Sequence, residues 1–257
     1  GDVFNGPQAQ KFDDEGIAMF PDVVSSTDTS ELFQHFSGLT DHIRESSLLH
    51  HKISDVAHAP HVLRIAGDRR ILEIVRHHLG VPGIIVGLNA WWSTSGGEKL
   101  VGAQMFHRDR DDFRACKLFV YLNDTGTRDG PHIFVRGSHR SDAVKSALNA
   151  SGQTSIPVDD FFNHHSRNVA HLIDQIFGSS VLEINGNAGT CFLENTYGFH
   201  RGKTPEGGQR CLLQIVYGLL PYPPILEQLA QTEFNMWPQD CEDHEIVRHA
   251  FSFLIKQ

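Results

Sequence analysis

The stretch Phe106-His107-Arg108-Asp109 holds a histidine and a carboxylate two residues apart. On an extended segment such a pair points to one side, because successive side chains alternate faces. One imidazole and one carboxylate would then face the same space. A second histidine from elsewhere would complete a 2-His-1-carboxylate triad, the donor set that holds non-heme iron(II) and leaves three coordination positions open. The chain has 17 histidines, so a bare His-x-Asp arises by chance and needs partners.

The partner candidate is His200, in Tyr197-Gly198-Phe199-His200-Arg201-Gly202. The alternative ligand is His139, which otherwise reads as a structural histidine after the Gly137-Ser138 turn. Arg210 heads an apolar strand shortly beyond His200. A guanidinium there suits an anionic cosubstrate, since it grips a carboxylate through two N–H groups where lysine cannot. Arg210, Leu212, Gln214 and Val216 share one face of that strand, and Cys211, Leu213, Ile215 and Tyr217 share the other. On the strand after Asp109, Lys117, Phe119 and Tyr121 oppose Cys116, Leu118 and Val120, and either set could turn inward. Trp91 and Trp92 point opposite ways, one to the core and one to a substrate mouth. Asp111 and Asp112 read as a solvated turn, and His132 as a satisfied or surface residue.

The elements that must position these residues follow from periodicity. Phe12 to Asp22 reads as a brief helix and a strand. Asp28 and Glu31 form a capping box before Leu32 and Phe36. Residues 40–66 read as loop with helical fragments. Asp68 to Gly80 is a helix striped by Ile71, Leu72, Val75 and Leu79. Strands are expected at 84–93, 101–107, 114–122, 131–135, 180–184, 189–193 and 210–219. A helical insertion follows Asn168, with Val169, Leu172, Ile173, Ile176 and Phe177 apolar. A final amphipathic helix spans about 242–255. Loops 40–66 and 138–167 are expected to set specificity. This order predicts a mainly β protein with flanking helices: a double-stranded β-helix (jelly roll, cupin-like) core with N-terminal helices and a helical insertion. We expect a single domain over 1–257, with an extension at about 8–80 and the core at about 84–220.

Composition bounds the partners. Hydrophobic residues make up 40% of the 257 and charged residues 21%, which suits a sizeable core. The net charge of −9 argues against nucleic acid. No apolar run approaches the ~18 residues that cross a bilayer, so no membrane partner is expected. Gly1 reads as a processing remnant, with no secretory signal. The four cysteines, Cys116, Cys191, Cys211 and Cys241, form no CxxC and read as buried thiols of a reducing, cytoplasmic setting.

Taken together, His107-x-Asp109, the run Gly130 to His139 (GPHIFVRGSH) and Gly189 to Gly202 (GTCFLENTYGFHRG) followed by Arg210 resemble the phytanoyl-CoA dioxygenase family. The resemblance extends from about Phe12 to Leu220. Arg136 departs from it, where many members have proline. It implies an Fe(II)- and 2-oxoglutarate-dependent dioxygenase that uses dioxygen to hydroxylate a small-molecule substrate, releasing succinate and carbon dioxide. It implies His107, Asp109 and His200 as catalytic metal ligands and Arg210 as the clamp for the distal carboxylate of 2-oxoglutarate. By weaker alignment Lys52, Ala90 and Phe119 would line the cosubstrate. Asp109 is a true acid, unlike the small residue of the halogenating relatives. A cupin-like metal enzyme without 2-oxoglutarate, or a ligand-binding jelly roll without turnover, is the alternative.

Overall fold

A computed structural model describes residues 6–39, 43–45, 47–95, 102–110, 112–163, 169–220 and 237–255. Two antiparallel sheets face each other. The larger contains β1 (Ile17–Met19), β2 (Ile43–Glu45), β3 (Leu48–His50), β4 (Ile84–Thr94), β5 (Cys116–Tyr121), β8 (Cys191–Glu194) and β10 (Gln209–Gly218), in the order β1-β8-β5-β10-β4-β3-β2. The smaller contains β6 (His132–Val135), β7 (Val181–Ile184) and β9 (His200–Gly202), in the order β7-β6-β9. Ile17, Phe119, Tyr121, Phe134, Phe192 and Leu212 meet between the sheets. This is the expected jelly roll with flanking helices.

Helices cover the outer face of each sheet. On the larger one lie α1 (Pro7–Glu15), α2 (Ser26–Gly38), α3 (Ile53–Ala57), α4 (Val62–Ala66), α5 (Arg69–Leu79) and the C-terminal α8 (Glu245–Ala250). Burial of α5 is one-sided: Ile71, Leu72, Val75 and Leu79 go inward, Asp68 caps its start and left-handed Gly80 ends it. On the smaller sheet lie α6 (Ser141–Ser151) and α7 (Ile173–Phe177), whose Val144, Leu148, Ile173 and Phe177 pack with Ile133, Val135 and Phe199. Among the described residues no helix is long and apolar enough to cross a membrane.

Several sequence expectations change. The cap of α2 is Ser25, with Asp28 at the third helical position. Their side chains satisfy each other's backbone N–H at 3.1 and 2.8 Å, so Asp28 and Glu31 are not the box. The loop at 40–66 contributes strands β3 and β2 at the end of the larger sheet, β2 at its edge, because β3 pairs with β4 at Leu48↔Ser93 and His50↔Trp91 and β2 pairs with β3. The loop at 138–167 contains α6 and a short turn of helix at Val158–Phe161. Of the strand expected at 101–107, the described residues 102–107 form none: Gly102–Gln104 is a single 3₁₀ turn, and only His107 pairs, with His200. The turn at 96–98 and the cap at Asn168 lie outside the described residues. Asp112 is no solvated turn residue; its Oδ2 accepts the Leu219 N–H at 2.7 Å at the end of β10.

Candidate metal centre and cosubstrate cavity

His107 and His200 face each other across one bridge, their backbone N–H groups donating to each other's carbonyls at 3.0 and 3.1 Å. The Asp109 N–H donates to Thr196 O at 2.9 Å. Backbone pairing thus holds the extended segment even without a regular strand. Alternation survives in it. His107 and Asp109 point to the cavity, while Arg108 and Arg110 point away. Arg108 is buried among Phe162, Phe199 and Tyr197, with its Cζ 4.4 and 4.2 Å from the first two ring centroids. It donates to Ser138 O at 2.6 Å and to Tyr197 O. Arg110 donates to Phe162 O and Asn163 O. The outward arginines therefore anchor the ligand segment to Ser138, to Phe162 and Asn163, and to the 197–199 turn.

One donor atom from each of His107, Asp109 and His200 lies within 4.8 Å of the others. Asp109 Oδ1 is 3.6 Å from His107 Nε2, and Oδ2 is 3.3 Å from His200 Nε2. His107 Nδ1 donates to Met105 O at 2.8 Å and His200 Nδ1 to Gly198 O at 3.0 Å. Those bonds fix both tautomers and leave each Nε2 lone pair directed at the shared space. The donor set therefore fits a divalent transition metal. Burial, with His200 nearby, takes the His107 pKa down to about 3, so its imidazole is neutral. Burial alone would raise Asp109, but the charge and hydrogen bond of His200 and the charge of Lys117 outweigh it and hold the carboxyl well below its ordinary range. Burial opposes protonation of His200, and Asp109 overcomes this by charge and hydrogen bond, raising its pKa. A bound cation would replace that proton.

The triad opens on a cavity of about 240 Å³. Arg210 lies in its wall, 2% exposed. It donates to Gly130 O and to Ser93 Oγ, the latter at 3.2 Å, and its Nε has no partner among the described residues. Gly202 lies against it: a Cβ there would sit 2.9 Å from Arg210 Nη2, so the guanidinium would have to shift. Phe119 lines the cavity, as do Lys117 and Trp91. Trp92 packs with the outer core, resolving the tryptophan pair.

Two residues fall elsewhere. Ala90 turns to the helix-covered face and packs in the outer core; its neighbours Asn89 and Trp91 reach the cavity instead. Lys52 is exposed at the N-terminus of α3 and is not part of the cavity wall. A one-residue offset on a strand reverses the face, and Lys52 lies just past β3, whose His50 is in the wall. His139 is remote from the triad and bonds Asp13 O at 2.9 Å.

Sequence reasoning missed His132 and Glu194. His132 Nε2 is 2.9 Å from Glu194 Oε2, and its ring stacks on His200 at 5.7 Å between centroids. Burial drives His132 well below its ordinary pKa and pushes Glu194 up to about 8. The pair is a largely neutral hydrogen-bonded support behind the second imidazole. Period-two alternation from Phe134 would have turned His132 inward; the abundance of histidines hid it.

No family model matches the chain, and no curated protein matches it. Solved structures do. SnoN, a non-heme alpha-ketoglutarate-dependent epimerase from nogalamycin biosynthesis, is 14% identical over 82% of this chain and 81% of that one, with a TM-score of 0.57. HygX from Streptomyces hygroscopicus, solved with nickel and 2-oxoglutarate, is 21% identical over 82% and 86%, at 0.55. EctD from S. alaskensis, solved with 2-oxoglutarate and 5-hydroxyectoine, is 19% identical over 86% and 82%, also at 0.55. Likeness at these identities establishes the shared fold.

Proposed function

We propose that this chain is an Fe(II)- and 2-oxoglutarate-dependent dioxygenase of the phytanoyl-CoA dioxygenase type, a single jelly-roll domain that hydroxylates a small organic substrate. One observation carries the proposal. Two Nε2 lone pairs and a carboxylate converge on a cavity whose wall also holds a buried, incompletely satisfied arginine. Buried polar groups are normally satisfied, so the open Nε of Arg210 marks a place for an acceptor. A solved neighbour with 2-oxoglutarate and nickel on the same fold supports it.

His107, Asp109 and His200 hold the metal, and their backbone-anchored tautomers need no rearrangement to do so. Bound iron(II) with 2-oxoglutarate supplies dioxygen activation and oxidation of a C–H bond, with release of succinate and carbon dioxide. Arg210, with Ser93 Oγ beside it, takes the distal carboxylate of the cosubstrate. Phe119 and Trp91 wall off water along its length. Leu48 and His50 of β3 line the same cavity and offer a wall for the small-molecule substrate. Four buried thiols support a reducing, cytoplasmic setting.

An anaerobic titration tests the proposal: Fe(II) with 2-oxoglutarate should give a metal-to-ligand charge-transfer band. In air the protein should form succinate from 2-oxoglutarate. Turnover of a substrate with no dependence on 2-oxoglutarate would reject it in favour of a cupin-like metal enzyme. SnoN is an epimerase, so product analysis decides whether oxidation ends in hydroxylation.

A further inference from the structure

Lys117 stands on the inward face of β5, a strand hydrogen-bonded on one side to β8 and on the other to β10. Its Nζ lies 2.7 Å from Asp109 Oδ2, and the side chain is only 10% exposed. A charged group held this way on a central strand has little freedom to leave its partner.

The three ligands differ in one respect. Each imidazole has a single lone pair to offer, because its Nδ1 is committed to a backbone carbonyl. A carboxylate has two oxygens, and nothing intrinsic to it prevents both from binding one metal. Here both oxygens face the donor atoms, Oδ1 3.6 Å from His107 Nε2 and Oδ2 3.3 Å from His200 Nε2. A hydrogen bond from a fixed ammonium to Oδ2 draws electron density from that oxygen and leaves Oδ1 the stronger donor. We propose that Lys117 is a positioning residue that restricts Asp109 to ligation through one oxygen, and so keeps free a coordination position that the cosubstrate needs.

The inference rests on the iron and 2-oxoglutarate reading. A six-coordinate metal with three protein donors has three places left, two for a chelating 2-oxo acid and one for dioxygen. A second carboxylate oxygen takes one of those three. Removing Lys117 therefore moves two affinities in opposite directions. The metal is bound at least as tightly, since it gains a donor and loses a neighbouring positive charge. The cosubstrate is bound more weakly, because it must displace a protein oxygen.

The test uses Co(II) as a spectroscopic probe, with 2-oxoglutarate titrated anaerobically against wild type, Lys117→Met and Lys117→Arg. Lys117→Met should retain Co(II) with unchanged or higher affinity and show an altered ligand-field spectrum before any cosubstrate is added. It should lose about tenfold in 2-oxoglutarate affinity, whereas a lost outer-shell partner that served only to hold the ligand would cost about 10–100-fold in metal affinity instead. Lys117→Arg, which keeps charge and donors, should restore the wild-type spectrum. A Co(II) spectrum unchanged in Lys117→Met overturns the proposal, since a lysine that attracts the anionic cosubstrate by charge alone would leave it unchanged. Equal losses of metal and cosubstrate affinity also overturn it. If Lys117→Met does not fold, Lys117→Gln, whose amide is one atom too short to reach Oδ2, is read the same way. Failure of wild type to bind 2-oxoglutarate at all refutes the functional reading itself and is seen before any variant is made.

Discussion

The two faces of the larger sheet are built from alternate residues of the same strands and have opposite chemistry. On β5, Cys116, Leu118 and Val120 go to the helices, while Lys117 and Phe119 go to the cavity and Tyr121 packs between the sheets. On β10, Cys211, Leu213 and Ile215 oppose Arg210, Leu212 and Gln214. The helix side is dry, and its thiols are pushed far up by burial, so they behave as small apolar groups. The cavity side buries Lys117, Glu194 and Arg210. Such groups cost stability unless hydrogen-bonded, and here they are paired through Asp109, His132, Gly130 O and Ser93. One face supplies folding free energy, and the other spends some of it on a preorganised site. Changes on the two faces should therefore separate stability from ligand binding.

The largest expected effect is on the cavity side. Asp109→Ala should abolish metal retention after gel filtration, read by elemental analysis, while the folded signal persists; wild-type metal content would remove Asp109 from the site. Next, Arg210→Ala should raise the half-saturating 2-oxoglutarate concentration about a hundredfold, the scale of roughly 2–5 kcal/mol for losing one member of a buried hydrogen-bonded charge pair. Its Co(II) affinity should stay unchanged, and a parallel loss of metal would blur the division between the two ends of the cavity. On the helix side, Leu213→Ala should cost about 2–5 kcal/mol in denaturant unfolding, with transfer and cavity contributions together. Metal stoichiometry per folded molecule should not change.

The smallest effect concerns His78 on α5, whose ring meets Phe12 edge-on and whose Nε2 lies 3.3 Å from Ala115 O. Burial takes its pKa down to about 4, with the Ala115 carbonyl partly opposing. The folded protein therefore holds it neutral where the unfolded chain, near 6.5, takes up a proton. Its contribution is intact above about 6.5 and is lost as pH falls from there toward 4. Replacing it by Phe should flatten the slope of unfolding free energy against pH in that window. An unchanged slope would assign the acid sensitivity elsewhere.

Much of this was legible because it depends on covalent spacing. The stripe of α5, the alternation of β4, β5 and β10, and the opposition of Trp91 and Trp92 all follow from local periodicity. Within the strand expected at 101–107, residues 102–107 are instead a 3₁₀ turn and then backbone held by a single bridge, with a further hydrogen bond from Asp109 to the 196–200 turn. Ala90 went to the wrong face because a shift of one residue reverses a strand. Arg108 looked like an interchangeable spacer between two ligands. It is a buried anchor to Phe162 and Phe199, and nothing local announces partners more than fifty residues away.

The sequence by itself determined the donor types and their order: His107 and Asp109 two apart, then His200, then Arg210 at a strand head. Side-chain chemistry and chain spacing are local properties, and they suffice to name a metal-binding set. Tertiary structure alone decided which alternate residues of β5 and β10 turn inward. Both faces carry apolar residues, so the choice depends on where the second sheet and the helices pack. It also decided that Lys117 meets Asp109 and that Glu194 supports His132 behind His200. These contacts join strands far apart in the chain, and only the pairing of the sheets brings them within hydrogen-bond reach.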